Sequence, residues 1–225
     1  MTNNKISKRL LTIAQMVDKD SNIMDVGCDH ALLDIYLLKN NMIKKSIASD
    51  INEGALNQAK KNLSKEKKYN IDLRLGPGLD VLNEKDKVDI IIMSGLGSKT
   101  IINILKDNKE KLKNINKLII QSNKELVLLR KEVIKLGYFI ENEKLVKENK
   151  KLYCIIKFSK GKRKYTRKEI YFGPILNKDK TFLYQEFYKN IYEKNKIIIK
   201  SIPSIISLRK IKLILINQII KKEVR

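Results

Sequence analysis

The order of apolar patterns constrains this chain more tightly than any other feature of its 225 residues. Short apolar runs over residues 23–27, 43–49, 71–75, 88–93 and 117–121 read as strands, and 88–93 (VDIIIM) is the clearest buried one. Stretches with apolar positions every three or four residues precede, separate or follow them, at 5–17, 31–39, 53–63, 98–106 and 124–136. Strands that alternate with helices are joined by crossovers, so the pattern predicts a parallel sheet with helices on its faces. Two more runs, 139–146 and 152–158, have only the polar turn 147–151 between them. They are expected to pair as an antiparallel hairpin at the sheet edge, completing a seven-stranded α/β sheet.

After residue 158 the texture changes. Residues 159–168 (SKGKRKYTRK) are polar and basic and place a boundary at 160/161. Helical periodicity resumes at 178–200 and 204–222, interrupted at Pro203, which predicts an α-helical coiled-coil hairpin. The chain carries a formal net charge of +23, and residues 161–225 hold 17 basic against 5 acidic groups. Lysine supplies 41 of the 48 basic residues, as AT-rich coding would, but such coding favours acidic codons too and leaves the net excess unexplained. A polyanion explains it, with a solvated charged surface as the plain alternative for any single residue. Lys162, Arg163 and Arg167, with Lys164 and Lys168, form the densest cluster and are candidates for phosphate contact.

No apolar run reaches the roughly 18 residues of a membrane span. The opening MTNNKISKRLLTIAQ lacks the apolar stretch of a signal peptide, so a cytoplasmic location is expected. Cys28, Cys154 and the single histidine are too few for a zinc site, and no metal is expected.

The chemistry-bearing residues sit where the runs end. Asp25-Val26-Gly27-Cys28-Asp29-His30 closes the first strand and opens a helix. Ligands of open α/β sheets bind at carboxyl ends of strands, and Gly27 lets one approach the backbone. Neither GxGxxG nor a P-loop is present, so flanking acids around a single glycine suit a cationic, phosphate-free ligand such as S-adenosylmethionine. Asp50 ends the second strand, 21 residues beyond Asp29, where an acid accepts from ribose hydroxyls; a helix cap is the other reading. Ser94-Gly95-Leu96-Gly97 follows the strongest strand, and Gln121-Ser122-Asn123 follows the next, with Asn123 a side-chain amide or a cap.

A parallel sheet closing on a hairpin is the arrangement of class I Rossmann-like methyltransferases. Within that class, Lys8-Arg9-Leu10, the DVGCDHA run at 25–31, Ser94 to Gly97, Gln121 to Asn123, Tyr153 and Gly173-Pro174 together resemble the bacterial tRNA adenine-22 N1-methyltransferase family. The resemblance covers essentially the whole chain. It implies a methyltransferase domain over 1–160, a basic coiled-coil tail over 161–225, S-adenosyl-L-methionine as cofactor and N1 of adenine 22 in tRNA as target. It implies cofactor contacts from Asp25, Gly27, Asp50, Gly76, Gly78, Ser94 and Gly95. Substrate contacts are expected from Lys8, Arg9, Leu96, Gly97, Gln121, Asn123 and Tyr153. In the family the loop after the third strand usually reads Gly-Asp-Gly, the Asp meeting the cofactor's adenine amino group, whereas this chain has Gly76-Pro77-Gly78. Weaker or differently held cofactor is expected, with Asp80, the backbone or water supplying the contact.

Methylating N1 of adenine requires alignment and negative charge near a developing cation rather than a strong base. Asp29 is the expected catalytic carboxylate, and His30 a catalytic or orienting neighbour. A monomer or weak dimer is expected. Another RNA, a DNA or a small molecule as acceptor, and a catalytically weak RNA-binding module, are the alternative readings; the missing Asn/Asp-Pro-Pro-Tyr/Phe loop argues against exocyclic amine chemistry.

Overall fold

Strands β1 (Ser21–Val26), β2 (Ile43–Asp50), β3 (Ile71–Leu75), β4 (Ile90–Ser94) and β5 (Lys117–Ser122) run parallel. The hairpin of β6 (Tyr138–Glu148) and β7 (Lys151–Lys160) completes the sheet, β7 lying antiparallel to β5. The order is β3-β2-β1-β4-β5-β7-β6, all seven strands as the alternation required. The structure, a computed structural model, describes residues 6–64, 69–203 and 207–224. Ile90 to Met93 are each at most 1% exposed, because helices cover both faces of a central parallel strand.

Helices α1 (Lys8–Ala14), α2 (Leu32–Lys39), α3 (Glu53–Leu63), α4 (Ser98–Asp107) and α5 (Leu126–Lys135) accompany the sheet. Helix α1 is shorter than its periodicity because Ser7 caps it, its hydroxyl accepting from the Leu10 N–H at 3.2 Å. Lys5, expected in this helix, lies outside the described residues. Ile13, Ala14, Leu33 and Leu37 from α1 and α2 pack with Ile23, Ile90, Ile92 and Ile119 of the sheet. The polar turn is tighter than expected. Only Asn149 and Lys150 lie between the strands, at φ 47° and 63°, the two left-handed residues of a turn whose twist matches the strands.

Residues 1–175 form one compact unit and 176–225 a second. The first continues past the expected boundary at 160 because α6 (Arg167–Phe172) packs on it. Arg130 of α5, fully buried, donates to the Ile170 and Tyr171 carbonyls and pairs with the buried Glu143 of β6 at 2.8 Å. Thr166 and Glu169 cap α6 reciprocally. Helix α7 (Pro174–Asp179) straddles the division. In the second unit α8 (Phe182–Ser201) and α9 (Leu208–Glu223) form the expected antiparallel hairpin. Lys180 pairs with Glu223 at 2.6 Å, Asn195 donates to Asn217 at 2.9 Å, and near the turn Lys210 donates to the Ile202 carbonyl at 3.0 Å. No described helix is long and apolar enough to cross a membrane.

Candidate functional site

The connection leaves β1 toward β2 on one side and reaches β4 on the other, so β1 and β4 flank the switch point where open α/β sheets bind ligands. A cleft of ≈ 680 Å³ opens there, at the carboxyl ends of β1 to β4. Its lining includes five aspartates, Asp25, Asp29, Asp50, Asp80 and Asp107, against a single arginine, Arg9. An acidic cleft in a chain of net charge +23 attracts a cation and repels phosphate.

The first turn is built by Gly27. At φ 73° it takes the left-handed conformation that lets its own N–H and that of Cys28 both donate to the Ser49 carbonyl, at 2.8 and 3.0 Å. Asp29 and Ala31 follow at φ 48° and 54°, conformations costly for residues with a Cβ and concentrated at functional sites. Asp50 organises this turn: one carboxylate oxygen accepts from the Asp29 N–H at 3.3 Å, the other from the Asn52 N–H at 2.9 Å. The capping role falls instead to Asn52, whose side chain accepts from Gly54 and Ala55. Asp29 extends its carboxylate into solvent at the cleft, 82% exposed, with His30 Nε2 3.4 Å away.

Under the floor lies a second carboxyl group. Asp34, on the first turn of α2, is fully buried, and its Oδ1 accepts from the Ser46 hydroxyl. Burial pushes the Asp25 carboxyl well above the usual range; Asp34 and Asp50 add repulsion, and only the Arg9 charge opposes. Burial raises Asp34 as well, against the Ser46 hydrogen bond. Burial also pushes the Cys28 thiol up, so it is no thiolate at neutral pH.

The side of the cleft next to β4 is organised by Arg9. One guanidinium nitrogen donates to Ser94 Oγ and to Gln121 Oε1, each at 3.0 Å, and the group lies 5.5 Å from the Tyr153 ring centroid. Gln121 Oε1 also accepts from the Gly95 N–H at 3.1 Å, and its amide donates to Asn123 Oδ1 at 2.9 Å. Arg9, Ser94, Gly95, Gln121, Asn123 and Tyr153, scattered over the sequence, are thus one connected network.

Of the residues expected from sequence, Arg9, Asp25, Gly27, Asp29, His30, Asp50, Gly76, Gly78, Ser94, Gly95 and Leu96 line the cleft. Gln121, Asn123 and Tyr153 do not line it; they hold Arg9 and the Gly95 backbone that do. Gly97 is the N-terminal cap residue of α4, and Lys8 is exposed on α1, both outside the lining. Lys162, Arg163 and Arg167 are exposed at and before the start of α6, in the first unit rather than the helical tail. Arg163 is engaged by Glu169 at 3.4 Å and by the Tyr165 ring at 5.2 Å. Sequence reasoning missed Asp34, Asp107 and Asn108. Asp34 carried a signal, an acid inside the otherwise apolar LLDIYLL, whereas nothing in the sequence places the end of α4 against the cleft.

A family model for tRNA (adenine(22)-N(1))-methyltransferase matches residues 23–223. A Bacillus subtilis (strain 168) tRNA (adenine(22)-N(1))-methyltransferase is 33% identical over 164 residues, 72% of this chain and 68% of that protein. Among solved structures, a Streptococcus pneumoniae chain in complex with S-adenosyl-L-methionine superposes with a TM-score of 0.90 at 31% identity, over 98% of this chain and 100% of that one. The M. capricolum TrmK in complex with S-adenosyl-homocysteine, its cofactor product, gives a TM-score of 0.86 at 31% identity, over 97% of each chain.

Proposed function

The chain belongs to the tRNA (adenine(22)-N(1))-methyltransferase family, and from that premise we propose how its cleft divides the work. The protein is an S-adenosylmethionine-dependent methyltransferase that methylates N1 of the adenine at tRNA position 22. The observation that carries the division is the acidic cleft with Arg9 on one side only.

The cofactor supplies an electrophilic methyl group on a positively charged sulfur. The donor set fits it: carboxylates for its cationic groups, no phosphate cradle, and Asp50 with acceptor capacity left for ribose hydroxyls. Asp25 and Gly27 form the floor, and Gly76, Gly78, Ser94 and Gly95 approach through backbone. Asp29 faces the acceptor, accepts from the adenine 6-amino group and stabilises the positive charge that grows on the base as N1 is methylated. No proton leaves N1 in that displacement, so Asp29 acts by charge and His30 by orienting its carboxylate. Arg9, fixed by Ser94, Gln121 and the Tyr153 ring, presents a rigid edge that aligns the base with Leu96 beside it. The target base lies within a folded RNA and must be extruded to reach the cleft. Domain division follows the same logic: the first unit does the chemistry, and the basic helical tail adds RNA contact in a cytoplasmic protein.

Asp80 takes over the cofactor adenine contact that Pro77 cannot make. Its carboxylate accepts from Asn108 at 3.1 Å, and Lys111 holds the Leu79 and Asp80 carbonyls, so it is fixed at the cleft. Pro77→Asp is expected to tighten S-adenosylmethionine binding by about 1 kcal/mol, a factor of roughly 5, by calorimetry. A variant that binds no tighter would show that Pro77 costs the cofactor nothing.

Lys162 and Arg167 contact tRNA phosphates. Replacing each by alanine should weaken binding to all tRNAs alike and lower the slope of log affinity against log salt by roughly one per residue. Filter binding over a salt series checks this, and an unchanged slope assigns them to a solvated surface.

A further inference from the structure

We infer that the tip of the β6–β7 hairpin is a phosphate clamp on the acceptor side of the cleft, where Lys150 and Lys151 hold the tRNA backbone beside the extruded adenine. The inference rests on the reading of the cleft as the place where that base is methylated.

Strand register makes the tip overhang the sheet. At the carboxyl edge Ser94 of β4 pairs with Gln121 of β5, and Ser122, the last residue of β5, with Cys154 of β7. The hairpin continues past that level through the pairs Tyr153–Val146, Leu152–Lys147 and Lys151–Glu148, about 10 Å at the rise of an antiparallel strand. It therefore projects beyond the edge at which the cleft opens. Helix α1 anchors the projection. Glu148 Oε1 accepts from the Arg9 N–H at 3.4 Å, and the Tyr153 ring centroid lies 5.5 Å from the Arg9 guanidinium. Side chains alternate along a strand, so Lys151 stands on the face of Tyr153, two residues farther out, with Glu148 directly across from it. This is the face that meets Arg9, a lining residue of the cleft. Lys150 precedes it in the turn, and both lysines are exposed.

Charge divides the work between rim and cleft. Residues 144–152 hold four lysines and one acid, Glu148, whose carboxylate is engaged by the Arg9 N–H. The cleft is lined by five aspartates. Adenine enters such a cleft as a neutral base, but the phosphates on either side of it are repelled. When the base is extruded, its backbone must stay on the rim, and the basic rim adjoining Arg9 is the hairpin tip. Lysine binds phosphate as a point charge without demanding one geometry, which suits a backbone that swings as the base leaves its stack. Such contacts fix the register of the RNA without reading its sequence. Arg9 then aligns the base, and the tip aligns the backbone that carries it.

The test has two arms, both on the full chain. Lys150→Gln with Lys151→Gln removes both charges and keeps the side-chain length. The expected result is a KM for tRNA raised about tenfold with kcat nearly kept, and a slope of log affinity against log salt lowered by roughly two. S-adenosylmethionine affinity by calorimetry should be unchanged, and Lys150→Arg with Lys151→Arg should restore the KM. The second arm localises the contact. Both native cysteines are buried and their thiols pushed up by burial, so an iron chelate attached to Lys147→Cys, exposed on the tip, labels one place. Hydroxyl radicals from it should cut the tRNA backbone at nucleotides beside position 22. An unchanged salt slope in the glutamine variant, or no cutting beside position 22, would each overturn the inference. Should the glutamine variant not fold, the cutting pattern decides alone. An unmodified protein that leaves adenine 22 unmethylated would instead overturn the reading of the cleft, so the two failures are distinct.

Discussion

Replacing Arg130 by methionine is expected to destabilise the unit formed by residues 1–175 by about 3–5 kcal/mol, since a buried charge left without its partner costs that much. Arg130 and Glu143 have fully buried side chains, and the pair does more than neutralise itself. Arg130 donates to the carbonyls of Ile170 and Tyr171 at 3.3 and 3.1 Å, and Glu143 accepts from the Ile175 N–H at 3.1 Å. Swapping a buried ion pair for apolar residues is often neutral. Here it leaves two carbonyls and an N–H of the α6 region without these partners, so Arg130→Met with Glu143→Leu should recover only part of the loss. Gly173 belongs to the same feature. A Cβ there would clash with the Glu143 carboxylate, and its φ of 84° is left-handed. Urea unfolding followed by far-UV circular dichroism measures both variants; equal stability of Arg130→Met and the unmodified chain would show that the pair contributes nothing. With ordinary domain stability at about 5–15 kcal/mol, the single variant is left marginal at physiological temperature.

Asp29→Asn is expected to lower kcat about 100-fold, the loss seen when one preorganised group facing developing charge is removed. Asparagine is the informative replacement, because it tolerates the left-handed backbone at φ 48° and keeps the N–H that donates to Asp50. The cofactor side is then undisturbed, so S-adenosylmethionine affinity should hold while turnover on unmodified tRNA falls. Alanine should lose turnover similarly and add a backbone cost of about 1 kcal/mol. Single-turnover methylation with labelled donor, with the product nucleotide mapped, reads both. Full turnover in Asp29→Asn would remove the catalytic assignment.

The architecture was legible because its signals are local. β4 is a continuous apolar run, so it is buried on both faces wherever it pairs, and the absence of a helix between the last two strands dictates antiparallel pairing. The tight turn at Asn149 and Lys150 was not legible, since neither residue is glycine and left-handed backbone there is imposed by the pairing of Glu148 with Lys151. The unit's end at 175 was missed for a similar reason. The basic, polar texture of 159–168 marks a surface segment, and what makes the next helix part of the first unit is a buried contact with Arg130, more than 35 positions earlier.

At the site, the sequence by itself placed the acidic residues that line the cleft beside β1 and β2. Asp25, Gly27, Asp29 and Asp50 stand at strand ends, and the rule that ligands bind there needs only the order of elements. Tertiary structure alone decided the rest. It brought Arg9 from the first helix onto Ser94, Gln121 and Tyr153, and it set the buried Asp34 against the Ser46 hydroxyl of β2. Periodicity states which face of an element is buried; it does not state which other element that face meets. A guanidinium's acceptors and a buried carboxyl group's hydrogen-bond partner depend on that meeting, and so they became visible only once the chain was folded.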